Sequence, residues 1–152
     1  MRQSLKNVLL IALLTVQAAA VGAGTRTHSS NNATTTETTS FDWSHVMEAI
    51  IEVESNGRHD AENGTQIGAM QITPILVKDC NRILSQRGEK HRYTLKDRYN
   101  VEKSKEMFCL IQSFYNPTNN VEKAIRSWNG GQNYSTKATQ RYFEKVKLAM
   151  KK

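Results

Sequence analysis

Of the 14 carboxylate side chains in this 152-residue chain, Glu54 falls where a charge is most costly. A helix is expected from about Asp42 to Gly57, with Trp43, Val46, Met47 and Ile50 spaced i, i+3, i+4, i+7. At about 100° per residue from Trp43, Met47 lies near 40°, Ile50 near −20° and Glu54 near 20°. Glu54 is therefore centred in the apolar stripe at the helix C-terminus, whereas Glu52, near about 180°, faces the opposite side. Burial disfavours the ionised carboxylate, and the negative helix end pushes its pKa the same way. An acid still protonated near neutral pH can protonate a leaving oxygen, as glycoside cleavage requires. The same wheel also accommodates an ordinary end-of-helix glutamate whose carboxylate reaches solvent.

Other chemistry finds less support. Cys109 lies within the apolar run Met107-Phe108-Cys109-Leu110-Ile111, and no nucleophile motif surrounds Cys80, so a thiolate–histidine pair is not indicated. The two cysteines are compatible with one disulfide in an oxidising compartment or with two buried thiols. No nucleophile elbow marks a serine triad. His28, His45, His59 and His91 have no metal-ligand spacing to either cysteine, so neither a metal nor another cofactor is expected.

Five helices are expected to position Glu54, with no convincing strand alternation and no internal repeat. After the first, Thr73 caps a second with Pro74 at its first turn, carrying Leu76, Cys80, Ile83 and Leu84 to a stop at Gly88. A basic loop, Glu89 to Lys96, leads to a third helix from Asn100 to Tyr115, with Met107, Phe108, Ile111 and Phe114 inward and Pro117 beyond its end. Asn120 caps a fourth, carrying Val121, Ala124, Ile125 and Trp128 to Gly130-Gly131. The last begins near Thr136 and carries Tyr142, Phe143, Val146 and Met150. The expected class is all-α.

Ahead of these helices, Arg2 and Lys6 precede an apolar run from Val8 to Val16, and Ala20 and Ala23 offer cleavage sites. Residues 1–23 thus read as a signal peptide; the run falls short of the ~20 apolar residues of a spanning helix, so no stable membrane insertion is expected after cleavage. Residues 24–40 are mostly Ser, Thr and Asn, lack large apolar side chains, and read as a flexible linker containing the sequon Asn32-Ala33-Thr34. Residues 41–152 are then one folded domain, exported to a periplasm or secreted, and a monomer. Without Arg2 and Lys6, 19 basic side chains face 14 acidic ones. That excess suits cell wall, an acidic polysaccharide or a membrane surface; nucleic acid is not expected, because no binding motif or aromatic–basic interleaving accompanies the charge.

Four short motifs occur in order: Ile51-Glu52-Val53-Glu54-Ser55-Asn56, Gly68-Ala69-Met70-Gln71, Ser127-Trp128-Asn129-Gly130-Gly131 and Thr139-Gln140-Arg141-Tyr142. Together they resemble the soluble lytic transglycosylase (SLT) domain of the lysozyme-like superfamily, whose patterns are E-S after an apolar helix, G-L-M-Q, Y-N-A-G and a late T-x-x-Y. The resemblance runs from about Trp43 to Val146. It implies a lysozyme-like helical fold and cleavage of the MurNAc–GlcNAc β-1,4 bond of peptidoglycan, without a cofactor. Glu54 matches the catalytic acid/base. Ser55, Gly68, Met70, Gln71, Trp128, Asn129 and Tyr142 match substrate-contacting or orienting positions. In these roles Gly68 would let the backbone approach a sugar, Gln71 and Asn129 would each offer donor and acceptor, and Tyr142 would hold Glu54 through its phenol. Tyr142 also reads as a core tyrosine on an apolar helix face.

The sequence departs from the family where Ala69 replaces leucine, Trp128 replaces tyrosine and Gly130 replaces alanine. The loop from Glu54 to Gln71 also lacks the S-x-x-G-A run. Altered subsites are expected from these changes. Two alternatives share the fold: a hydrolytic lysozyme and a non-catalytic wall-binding module. The resemblance implies 1,6-anhydromuramyl products; were the outcome hydrolytic, Asp60 and Glu62 in the adjoining loop would be the nearest candidate second carboxylates.

Overall fold

The computed structural model describes residues 41–152. The expected signal peptide, linker and Asn32 sequon lie outside these residues. The chain forms α1 (Ser44–Ser55), a short hairpin β1 (Glu62–Asn63) and β2 (Gln66–Ile67), α2 (Pro74–Gln86), a 3-10 turn (Leu95–Tyr99), α3 (Val101–Tyr115), α4 (Val121–Gly130) and α5 (Thr136–Ala149). The five expected helices are present, and the fold is mainly helical. Among the described residues, no helix is long and apolar enough to cross a membrane.

Local chemistry explains most boundaries. Thr73 Oγ1 accepts from the Leu76 amide, Asn100 Oδ1 from Lys103, Asn120 Oδ1 from Lys123 and Ser135 Oγ from Ala138. Each satisfies an amide that lacks a partner in the first helical turn. At α1, Asp42 Oδ1 instead takes the Ser44 amide, placing the cap at Trp43. Asn56 turns left-handed at φ 53° and ends α1 one residue beyond Ser55. Between α3 and α4, buried Asn116 donates to Gln112 Oε1 and the Asn120 carbonyl, and accepts from the Asn120 amide. The turn containing Pro117 is thereby closed from inside.

α1 packs on α4 and α5, α4 on α5, and α2 on α3. Phe108 is fully buried where the layers meet, its ring centroid 5.7 Å from Trp43 and 5.2 Å from Trp128. Truncating so buried an aromatic costs ~3–5 kcal/mol, through lost transfer energy and the cavity left behind. Ile50, Met70, Ile72, Ile83, Met107 and Ile125 complete the fully buried centre.

Several expectations are corrected. The loop between α1 and α2 contains the hairpin, pairing Glu62 with Ile67 and Asn63 with Gln66; two-residue strands are too short to show alternation. The basic loop contains the 3-10 turn, started by a capping box between Thr94 and Asp97. Phe114 is 39 % exposed, covered on one face by the Arg82 guanidinium at 5.1 Å. On α2, Val77 takes the buried place expected for Leu76.

Both cysteines are free thiols in this structure. Cys80 Sγ points to the Met107 carbonyl at 3.8 Å, whereas Cys109 Sγ lies 3.9 Å from Met47 Sδ on α1. The packing of α2 on α3 occurs, but the two thiols serve different contacts. Burial, reinforced by the nearby Asp79 charge, pushes the Cys80 thiol up to about 12, away from nucleophilic chemistry.

Candidate active site

A cavity of about 510 Å³ opens beside the end of α1. Glu54 lines it together with Gln71, Trp128 and Asn129, so residues from three of the four sequence motifs meet at one cleft. The fourth motif contributes from behind: the Tyr142 hydroxyl donates to Glu54 Oε1 at 2.7 Å, across 88 residues of sequence. Burial raises the Glu54 carboxyl above its ordinary value, and the Tyr142 hydrogen bond partly opposes this by stabilising the anion. Burial, followed by the neighbouring Glu54 charge, raises the phenol well above its own ordinary value. The Tyr142 hydroxyl therefore keeps its proton and remains a donor to Glu54. Glu52 points elsewhere and pairs with Lys152.

The loop after α1 is stapled into place. Ser55 is buried, its Oγ 2.9 Å from the Ala69 carbonyl and 3.2 Å from the Ile51 carbonyl. Its role in this geometry is to pin the loop to the helix end, and it does not line the cleft. Gly68 is also buried, at φ 80°; a Cβ there would lie 1.8 Å from the Arg98 carbonyl oxygen. The glycine thus admits protein backbone where a sugar had been expected. Met70 has no exposed surface and belongs to the core.

Gln71 does line the cleft, although its donors are committed. It holds a left-handed backbone at φ 52°, and Nε2 donates to the Ala61 and Gly68 carbonyls at 3.2 and 2.9 Å. What remains for a ligand is the acceptor Oε1, in place of the expected donor–acceptor pair. Asn129 is exposed at the cleft and can offer both. Trp128 is half-buried and donates from Nε1 to the Met70 carbonyl at 3.3 Å. The indole thus ties α4 to the same loop while lining the cleft.

Two buried cations support this arrangement. Arg98, on the 3-10 turn, donates to the Leu95, Thr65 and Ile72 carbonyls, clamping the hairpin without a carboxylate partner. Arg126, on α4, pairs with Glu122 and reaches the Thr136 carbonyl, Thr139 Oγ1 and Gln140 Oε1 on α5. Its guanidinium also lies 4.2 Å from the Phe143 ring centroid. α5 is thereby fixed so that Tyr142 can reach Glu54. The i, i+4 spacing of Glu122 and Arg126 signals their pairing, but nothing local to Arg98 signals contacts with carbonyls 26 and 33 residues away. Lys78 and Asp79, which also line the cleft, stood outside every motif.

Among the described residues, no group of three or more His, Cys, Asp or Glu side chains could hold a metal ion. The cleft offers a protonatable carboxyl with a phenolic partner, amide groups suited to hydroxyls and N-acetyl groups, and an indole. That set suits acid–base chemistry on a glycan. No curated protein and no solved structure matches the chain. The family model for the transglycosylase SLT domain matches residues 30–150. Because that match spans most of the sequence, the chain belongs to the transglycosylase SLT domain family, and membership supports peptidoglycan cleavage of the lytic-transglycosylase type, outside the cytoplasm.

Proposed function

We propose that the protein is a lytic transglycosylase with Glu54 as its single catalytic acid and base. The observation that carries this reading is a half-buried carboxyl, raised by burial and held by Tyr142, in a cleft with no second uncommitted carboxylate. Asp79 is the other carboxylate lining the cleft, but Arg82 pairs with it at 2.6 Å and the Tyr115 hydroxyl donates to it at 3.0 Å. Asp60 and Glu62 are exposed and do not line the cleft; Glu62 accepts from the Tyr99 hydroxyl. A two-carboxylate hydrolysis needs a partner about 5–9 Å from the acid. The commitment of Asp79 to Arg82 and Tyr115 supports a nucleophile supplied by the substrate itself.

In this mechanism Glu54 delivers its proton to the glycosidic oxygen between MurNAc and GlcNAc as the C1–O bond breaks. The resulting carboxylate, stabilised by the Tyr142 hydroxyl, accepts the proton of the muramic acid 6-hydroxyl. O6 bonds to C1, and the product ends in a 1,6-anhydro ring without consuming water. Glu54 is protonated again, ready for the next strand. Gln71 Oε1, Asn129 and Trp128 bind and orient the glycan. Residues 1–23 act as an export signal ahead of a Ser/Thr/Asn-rich linker, delivering residues 41–152 to the wall.

Mass spectrometry of digested peptidoglycan tests the chemistry, because anhydromuramyl ends are lighter than reducing ends by one water. Glu54→Gln should lower turnover by ~10²–10⁴-fold with the fold intact, since an amide cannot deliver the proton. Purely hydrated ends would establish a lysozyme-type hydrolase. Wall binding without turnover by the unmodified chain would establish a binding module.

A further inference from the structure

The positive excess of the described residues is confined to one element. Residues 41–135 carry 12 basic and 12 acidic side chains, whereas residues 136–152, α5 and the turn after it, carry six basic ones and a single acid, Glu144. At about 100° per residue from Lys137, Arg141 lies near 40° and Lys145 near 80°, so the three form one stripe at i, i+4, i+8. All three are exposed, and among the described residues none has an ion-pair partner. Exposed Lys151 continues this face into the turn, roughly 21 Å from Lys137 at the helical rise. The other two cations are engaged: Lys147 lies 5.4 Å from the Phe143 ring centroid, and Lys152 pairs with Glu52. Glu144 accepts from Gln140 Nε2 at 2.8 Å.

Leu148 falls near about 20° on the same wheel, between Lys137 and Arg141, and is 65 % exposed. The buried side of α5 is opposite, with Thr139 and Val146 near about 200° and 180°. Tyr142 reaches inward to Glu54, and no residue of α5 lines the cleft. A partner seated on the outer face of α5 would therefore leave the cleft open.

A straight row of cations without acidic neighbours complements an extended anionic surface. Leu148 narrows the choice. A soluble polyanion is held by charge alone and offers a leucine only water or hydroxyl groups. An anionic bilayer places an apolar phase directly behind its phosphates, where the leucine can leave water. We infer that the outer face of α5 docks on a lipid surface carrying anionic phosphodiester headgroups. Lys137, Arg141, Lys145 and Lys151 meet the phosphates and Leu148 enters the acyl boundary. The helix lies on the membrane without crossing it. The contact is independent of the chemistry at Glu54.

The test measures partition of the full-length protein onto vesicles of mixed phosphatidylglycerol and phosphatidylcholine, and onto phosphatidylcholine alone. The ratio of the two cancels affinity common to both vesicles, including any from the apolar run Val8 to Val16. The unmodified protein should favour the anionic vesicles, and should lose that preference as salt shortens the Debye length from ~10 Å at 0.1 M to ~3 Å at 1 M. Replacing Lys137, Arg141 and Lys145 together by glutamine should lower the ratio about 10²-fold, at roughly fivefold per charge. Lys137→Arg with Lys145→Arg should preserve it. Removing the same charge from the basic loop, by glutamine at Lys90, Arg92 and Lys96, should leave it nearly as it was. Leu148→Ser should lower it about 3–10-fold by withdrawing apolar surface. Helical circular dichroism should be the same for every variant, since all these side chains are exposed. An unmodified ratio near one, or equal losses from α5 and from the basic loop, would overturn the inference. A ratio indifferent to Leu148→Ser, with soluble polyphosphate bound as tightly as the anionic vesicles, would identify a soluble polyanion and overturn the lipid assignment.

Discussion

Replacing Gly68 by alanine would place a methyl group 1.8 Å from the Arg98 carbonyl oxygen and 2.9 Å from its carbon. Neither atom is the end of a flexible side chain. To make room, the loop must move away from the 3-10 turn, against the Arg98 clamp on Thr65 and Ile72. Two costs add: the left-handed backbone at φ 80°, ~1–2 kcal/mol for an L-residue, and the collision, ~1–3 kcal/mol by analogy with overpacked cores. The expected destabilisation is therefore about 2–5 kcal/mol. For a domain of this size that lowers Tm by roughly 8–20 °C.

Gly64→Ala is the internal control. Gly64 has φ 61° but nothing within 4 Å of the added Cβ, so only the backbone cost of ~1–2 kcal/mol applies. The assay is thermal unfolding followed by helical circular dichroism, with wall-clearing activity measured below both midpoints. Gly68→Ala should also lose activity while folded, because the Gly68 carbonyl anchors Gln71. If the two variants melted together and cleared wall equally well, the reasoning that Gly68 is required by close backbone approach would be refuted.

Glu54→Gln should be more stable than the unmodified protein at neutral pH. Burial raises the folded carboxyl above its ordinary 4.5, so between the unfolded and folded values the native state holds more protons. Stability consequently falls as pH rises through that window, and the variant escapes the loss; melting both proteins from acid to neutral pH should show its advantage fading towards acid. Tyr142→Phe removes the donor that opposes this rise, so the alkaline limb of the kcat/KM profile should move to higher pH; an unmoved limb would detach Tyr142 from Glu54. Thiol titration of denatured, unreduced protein should find both Cys80 and Cys109 free, and reductant should leave Tm unchanged.

The helices were legible in the chain through local chemistry. Thr73-Pro74, Asn100 and Asn120 terminate their neighbours' amides wherever the rest of the chain goes, and the apolar stripe of α1 already included Glu54. The four motifs were likewise legible as a set, because residue type and order survive without coordinates. What each motif residue does was decided only by tertiary structure. Ser55, Gly68 and Met70 are turned into protein, where they meet Ala69, Arg98 and the core, while Gln71 gives its donors to the loop. Sequence spacing fixes a side chain's direction within its own helix but not what arrives from elsewhere to face it. Tyr142 reaches Glu54 because Arg126 holds α5 against α4, and Arg98 closes a loop whose carbonyls are remote in the chain. Lys78 belonged to no motif; it is placed in the cleft by the packing of α2.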